Sequence, residues 1–297
     1  MSETMAKPRV AILGLGIMGT GMANRLHSAN FPLTVYNRNR EKSTPFANAG
    51  AFIAASPREA ASRSEIILSM VGDDAASRSI WLGENGALAG TSPNAVLIES
   101  STLSGEWIQE LAARAAERGC RFLDAPVTGT KPHAASGELT FLVGGSAEAL
   151  DAARPAFSVL GRDVVHLGPV GSGALMKLIN NFVCGVQAAS FAEALSMIDA
   201  GGLDRAKAVS ILTNGAPGSG IVKRMAERIS ASDFTPNFAL CWMAKDIAYA
   251  VAEASKNGIS LQTAAAALSV FKQAIAEGYG EEDFSAVSRS SKKRSNS

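Results

Sequence analysis

The chain predicts an α/β fold: a doubly wound, mostly parallel sheet over the first half, then a long helix and an all-helical second half. Three observations carry that expectation. Short apolar runs rich in β-branched residues alternate with helical stretches as far as residue 167. A G-x-G-x-x-G sequence, Gly14-Leu15-Gly16-Ile17-Met18-Gly19, stands between the first apolar run and the first helical stretch. Beyond Gly168-Pro169 the strand patterns stop, and alanine-rich helical segments continue to about Gly278.

At 297 residues the chain is long enough for two domains. A hydrophobic content of 47% and a net charge of +1 describe a globular protein with ample core. They give no bulk electrostatic reason to expect nucleic acid or an anionic membrane as partner. Cys120, Cys184 and Cys241 form no pair motif and read as reduced core residues of a cytoplasmic protein. Met1 to Pro8 lacks the apolar core of a secretion signal, and no uninterrupted apolar stretch approaches membrane-spanning length. His27 and His166 have no ligand-spaced neighbours, so no metal is expected.

Arg9-Val10-Ala11-Ile12-Leu13 reads as a buried parallel strand and Thr20 to Ser28 as a helix. In that context Gly14 permits a tight turn, Gly16 admits a pyrophosphate to the backbone, and Gly19 allows close helix packing. The helix N-terminus adds amide donors and a positive dipole end. The first half is therefore Rossmann-type. Leu33 to Arg38 is the next strand. An acidic residue at its end would accept from both ribose hydroxyls and select NAD(H). Asn37, Arg38, Asn39 and Arg40 stand there instead, and a guanidinium matches a phosphate. That favours NADP(H) while leaving NAD(H) open; two solvated arginines on a loop is the competing reading. Glu65 to Val71 forms another strand, whose last residues Met70 and Val71 reach the edge where open α/β sheets bind ligands. Ala95 to Glu99 ends at that edge in Ser100-Ser101-Thr102, hydroxyls suited to ribose or carboxamide, while Ser104 reads equally as a helix cap. Cys120 to Ala125 is a fifth strand, Pro126 to His133 a rigid polar loop, and Leu139–Val143 and Val164–Leu167 complete the sheet.

Gly173 to Ala200 is almost entirely apolar or small, with Lys177, Glu193 and Asp199 its only formal charges. As a helix it would be roughly 40 Å long and, being apolar nearly all round, buried. Lys177 and Asn181 sit four apart on one face. A lysine there either snorkels to water or serves a site. Ala244–Ser255 and Ser260–Glu277 also show helical spacing, and Ser285 to Ser297 is a Ser/Lys/Arg-rich stretch expected to be a disordered tail. The organisation expected is 1–167, 168–284 and a tail over 285–297.

Four motifs in this order resemble the β-hydroxyacid dehydrogenase family, from about Arg9 to Gly280. They are Gly14–Gly19 followed by Met22-Ala23; Asp124-Ala125-Pro126-Val127-Thr128-Gly129; Gly171-x-Gly173-x-x-x-Lys177-x-x-x-Asn181; and Lys245-Asp246. The resemblance implies a Rossmann domain, an interdomain helix and a helical domain that packs on a partner subunit in a homodimer or homotetramer. It implies a small carboxylate-bearing aldehyde or hydroxy acid as substrate. Lys177 would be catalytic with Asn181 as companion, both touching substrate; Thr128-Gly129-Thr130 would anchor the carboxylate; Thr102 and Lys245 would contact the nicotinamide end. Thr128 departs from a frequent serine, Thr130-Lys131 from a second glycine, and Glu99 from a frequent aspartate. Gly129-Thr130-Lys131-Pro132 and Asn37-Arg38 look more like the NADPH-using glyoxylate/succinic semialdehyde reductase branch. Imine reduction on the same scaffold, where the lysine is usually missing, and a non-catalytic cofactor-binding scaffold are the alternatives.

The side chains make chemical sense of that reading. Reduction of a carbonyl develops alkoxide charge, which an ammonium on Lys177 stabilises before donating its proton. Desolvation favours the neutral amine, so the proton can pass either way. Hydroxyls and amides around Thr128 and Gly129 suit a carboxylate. His133 reads as an exposed loop residue, Asp246 as a local pair or cap, and Asp124 as a residue that positions its loop. Trp242 and Phe238 read as packing or as pocket lining.

Overall fold

A computed structural model of the chain describes residues 7–290. It divides into two compact units, one ending at Lys177 and the other beginning at Leu178.

The first unit runs β1 (Val10–Leu13), α1 (Ile17–Ser28), β2 (Leu33–Tyr36), α2 (Thr44–Asn48), β3 (Phe52–Ile53), α3 (Pro57–Ser62), β4 (Ile66–Ser69) and α4 (Asp74–Trp81). It continues with β5 (Val96–Glu99), α5 (Gly105–Glu117), β6 (Arg121–Asp124), β7 (Val127–Thr128), α6 (Lys131–Ser136), β8 (Leu139–Gly145), α7 (Ala147–Leu160) and β9 (Gly161–Gly168). The strand order is β3-β2-β1-β4-β5-β6-β8-β7, with β9 parallel beside β8. From β3 to β6 the neighbours are parallel, whereas β8 runs antiparallel to β6 and β7. Ile12 lies between Val35 and Leu68 in register.

The continuous apolar runs of β1, β4 and β5 are buried on both faces, as a parallel sheet covered by helices requires. Ile12, Leu68 and Ile98 pack with Leu26 and Phe157 on one side; Leu13, Ile67 and Leu97 pack with Trp81 and Trp107 on the other. The order of the strands reverses direction at β1, so the switch point lies between β1 and β4. Strand β3, two residues long, carries no periodicity and was not expected. Asn37-Arg38 and Met70-Val71 lie just past their strands. The stretch 126–133 is more regular than a loop: it contains β7 and opens α6, so His133 sits in a helical turn, half-buried.

The long helix α8 (Ser172–Ala200) starts in the first unit and continues into the second. It is not buried all round. Leu175, Ile179 and Val183, four apart, are 47%, 40% and 42% exposed, so only part of its circumference is core. The second unit adds α9 (Arg205–Asn214), α10 (Gly220–Ser230), α11 (Leu240–Lys256), α12 (Gln262–Ala274) and α13 (Val287–Ser290). Phe191, Leu195, Leu240, Ile247, Phe271 and Val287 form its core.

Two boundaries differ from expectation. The first unit extends to Lys177 because the start of α8 is tied to β6, as described below. The tail expected over 285–297 is folded as far as Ser290: Ser285, Ala286 and Val287 are buried. Asp283 accepts from the Asn237 amide and from the amide and hydroxyl of Ser285, and Arg289 pairs with Glu282 while lying over Tyr279. Residues 291–297 of that tail lie outside the described residues. Among the described residues no helix is long and apolar enough to cross a membrane, and no His/Cys/Asp/Glu cluster could hold a metal.

Candidate active site

The glycine turn joins β1 to α1 at the switch point, and its three glycines answer three separate constraints. Gly14 has φ +103°, and a Cβ there would run into the Met70 carbonyl oxygen. A Cβ on Gly19 would run into the Gly14 carbonyl oxygen, so the helix can pack on the turn only without one. Over Gly16 nothing lies within 4 Å. Gly16 is also the N-cap of α1, and no side chain caps that helix start. Open space above backbone amides at a positive dipole end fits the pyrophosphate of a dinucleotide. Ile17 and Met18 supply first-turn amides. Leu15 does otherwise: its side chain is buried and its amide donates to Asn37 Oδ1 at 2.8 Å.

Asn37 is thus committed. It holds the glycine turn through Oδ1 and donates from Nδ2 to the Asn39 carbonyl at 2.8 Å. The arginines beside it, Arg38 and Arg40, are exposed. Asn37 shapes this end of the site, while the charge comes from its neighbours. The loops after β4 and β5 meet through Ser101, whose Oγ accepts from the Val71 amide at 2.8 Å. Ser104 is the N-cap of α5 and accepts from the Trp107 amide. Thr102, between them, is half-buried.

Asp124 ends β6 and was expected to position its own loop. It does something larger. Its Oδ1 accepts from the Gly171 amide and its Oδ2 from the Ala174 amide, both at 2.8 Å, with the Gly173 amide also directed at it. Burial pushes this carboxyl above the usual range, against those hydrogen bonds. The two glycines of the lysine motif serve this joint. Gly171 has φ +96°, and a Cβ on Gly173 would run into the Leu142 carbonyl oxygen. Lys177, half-buried, follows Ala174 by three residues, so its place relative to the sheet edge is fixed through Asp124.

At the end of β7, Thr128 is half-buried and Gly129 exposed with φ +131°, where a side chain would crowd Leu139 and His133. Thr130 is spent locally: its amide donates to His133 Nδ1 at 3.0 Å and its Oγ1 lies 2.8 Å from the same nitrogen. A backbone donor at Nδ1 makes that atom the acceptor, so His133 closes the start of α6. Thr128 and Gly129 are the residues of this segment not tied up in that local pairing.

In the second unit Asn181 is buried, donating from Nδ2 to Asp246 Oδ2 at 2.6 Å and accepting from Asn180 Nδ2 at 2.9 Å. Lys245 Nζ lies 2.9 Å from the other Asp246 oxygen. Asp246 is therefore the link between Asn181 and Lys245, a role that only the adjacency Lys245-Asp246 hinted at. Phe238 packs edge-on against Phe284.

Comparison with known proteins gives the family. The model of the NAD binding domain of 6-phosphogluconate dehydrogenase matches residues 9–168, and that of the NAD-binding of NADP-dependent 3-hydroxyisobutyrate dehydrogenase matches 171–291. The chain belongs to the 3-hydroxyisobutyrate dehydrogenase-like β-hydroxyacid dehydrogenase family. It is thereby an NAD(P)-dependent oxidoreductase acting on CH–OH groups. An NAD-dependent L-serine dehydrogenase of Pseudomonas aeruginosa is 34% identical over 95% of this chain and 97% of its own length. Glyoxylate/succinic semialdehyde reductase 1 of Arabidopsis thaliana is also 34% identical, over 94% and 96%. The crystal structure of a 3-hydroxyisobutyrate dehydrogenase from Salmonella typhimurium superposes with a TM-score of 0.86 at 30% identity, covering 95% of this chain and 99% of that one. As a member of this β-hydroxyacid dehydrogenase family the chain shares its fold with relatives that differ in both substrate and cofactor.

Proposed function

We propose that the chain is an NADP(H)-preferring, cytoplasmic reductase of a small aldehyde acid, of the glyoxylate/succinic semialdehyde type, running in reverse on the matching hydroxy acid. The observation that carries this reading is the joint at Asp124, which sets Lys177 beyond the same sheet edge as the open glycine turn. The exposed Arg38 and Arg40 beside a neutral Asn37 support the 2′-phosphate form. When bound, the nicotinamide supplies or takes the hydride. Lys177 stabilises the developing alkoxide and passes the proton. Asn181, one turn along α8 and held on both sides of its amide, keeps the companion position rigid. Thr128 and Gly129 bind the carboxylate, Thr102 and Lys245 border the nicotinamide end, and Met70 and Val71 line the cofactor floor.

Turnover of a panel of aldehyde acids, β-hydroxy acids and cyclic imines with NADPH and NADH tests the whole reading. Aldehyde acids with NADPH should be fastest; faster imine turnover, or binding of cofactor without any turnover, would overturn it. Lys177→Ala should lower turnover by about 10²-fold or more with the fold kept, and near-normal rates would sink the lysine mechanism. The stripe Leu175, Ile179 and Val183 suits packing on a second copy. Light scattering should give a dimer or tetramer, and Ile179→Glu should shift the mass toward monomer.

A further inference from the structure

Glu99 ends β5 with no exposure to solvent, beneath the loops assigned above to the cofactor. Its Oε2 accepts from Ser77 Oγ at 2.6 Å and from Trp81 Nε1 at 2.8 Å. Its Oε1 accepts from the Ser101 amide at 3.0 Å. Two of these residues also accept. Ser77 Oγ takes the Trp107 Nε1 hydrogen at 2.8 Å, and Ser101 Oγ takes the Val71 amide at 2.8 Å. One carboxylate thus joins α4, α5 and the loops after β4 and β5.

A carboxylate is suited to that place because both its oxygens accept. A glutamine would turn its amino group against either Ser101 or the Trp81 and Ser77 donors, whichever way it flipped. Burial pushes the Glu99 carboxyl up, opposed by the hydrogen bonds of Ser101, Ser77 and Trp81.

We propose that Glu99 is a positioning residue for the nicotinamide half of the cofactor site, fixing Val71 and Ser101-Thr102 relative to each other through the Ser101 side chain. This rests on the cofactor reading given above. The glycine turn packs on Met70 but, like the end of β2, takes no part in these hydrogen bonds, so the adenosine half should be indifferent to them.

The test uses the full chain and two probes: NADPH, and 2′-phospho-ADP-ribose, the same molecule without nicotinamide. Calorimetric Kd values are compared for wild type, Glu99→Gln and Ser101→Ala. Ser101→Ala removes a single acceptor and keeps the proposal testable should Glu99→Gln not fold. The expected result is NADPH binding weakened about tenfold by loss of the acceptor, with the fragment bound as by wild type. Equal weakening of both probes, or no weakening of either, would overturn the positioning role. Failure of the wild type to bind either probe would instead overturn the cofactor reading on which it rests.

Discussion

Helices α1 and α8 both begin at the C-terminal edge of the sheet, and their first turns are treated in opposite ways. The start of α1 has no side-chain cap and open space over Gly16, so its amides face outward. The start of α8 is filled by the Asp124 carboxylate, which takes the Gly171 and Ala174 amides. The physics is the same at each: unpaired amides and a positive dipole end attract an anion. Where the protein supplies the anion itself, the helix becomes a fixed joint that can carry a lysine to a set place. Where it leaves the end open, the amides stay available to an outside anion, under the proposed function the cofactor's phosphates.

The strongest way to break that comparison is to empty the second helix start. Asp124→Leu should leave buried amides orphaned and cost about 3 kcal/mol of stability, with turnover falling as α8 loses its tie. Chemical denaturation and steady-state kinetics on one preparation would show both, and unchanged stability would refute the joint. The pH dependence carries a definite sign. Burial raises the folded-state pKa, so from the ordinary carboxylate range upward the native state holds more proton than the unfolded one. The contribution is complete below that range and is lost as pH rises through the raised value. Asp124→Asn should flatten this part of the wild-type stability profile.

What could be read from the sequence followed from local rules. The glycine turn was legible because its spacing and place are local: Gly19 answers to Gly14 five residues back, Gly14 answers to the end of β4, and all three stand between an apolar strand and a helix. Strands β1, β4 and β5 were legible because parallel strands buried on both faces must be continuously apolar. The carboxylates were not. Asp124 finds its partners at residues 171 and 174, and Glu99, on β5, finds Trp81 and Ser77 on α4, separations that no motif encodes. The error at the C-terminus has the same origin. Ser285, Ser288 and Ser290 look like solvent residues by composition, yet all three are buried, and the hydroxyls of Ser285 and Ser288 are accepted by Asp283 and by the Ser285 carbonyl. The bond from the Leu15 amide to Asn37 was equally hidden, since it appears only once β1 and β2 are paired.

A smaller pair of substitutions sharpens the contrast at the open helix start itself. Gly14 and Gly16 are two residues apart in one turn, yet they should fail in different assays. Gly14→Ala places a methyl group against the Met70 carbonyl at φ +103° and should lower stability by about 2 kcal/mol or more, seen as a lower unfolding midpoint with or without ligand. Gly16→Ala meets no protein atom, so the midpoint should stay near wild type. Its methyl group would occupy the space kept for phosphate, and NADPH affinity should drop about tenfold by calorimetry. Wild-type affinity in Gly16→Ala would mean that the open end of α1 is not the seat, and the opposition between the two helix starts would lose its ligand half. Loss of stability and affinity together in Gly16→Ala would mean that the space over this turn is needed by the fold.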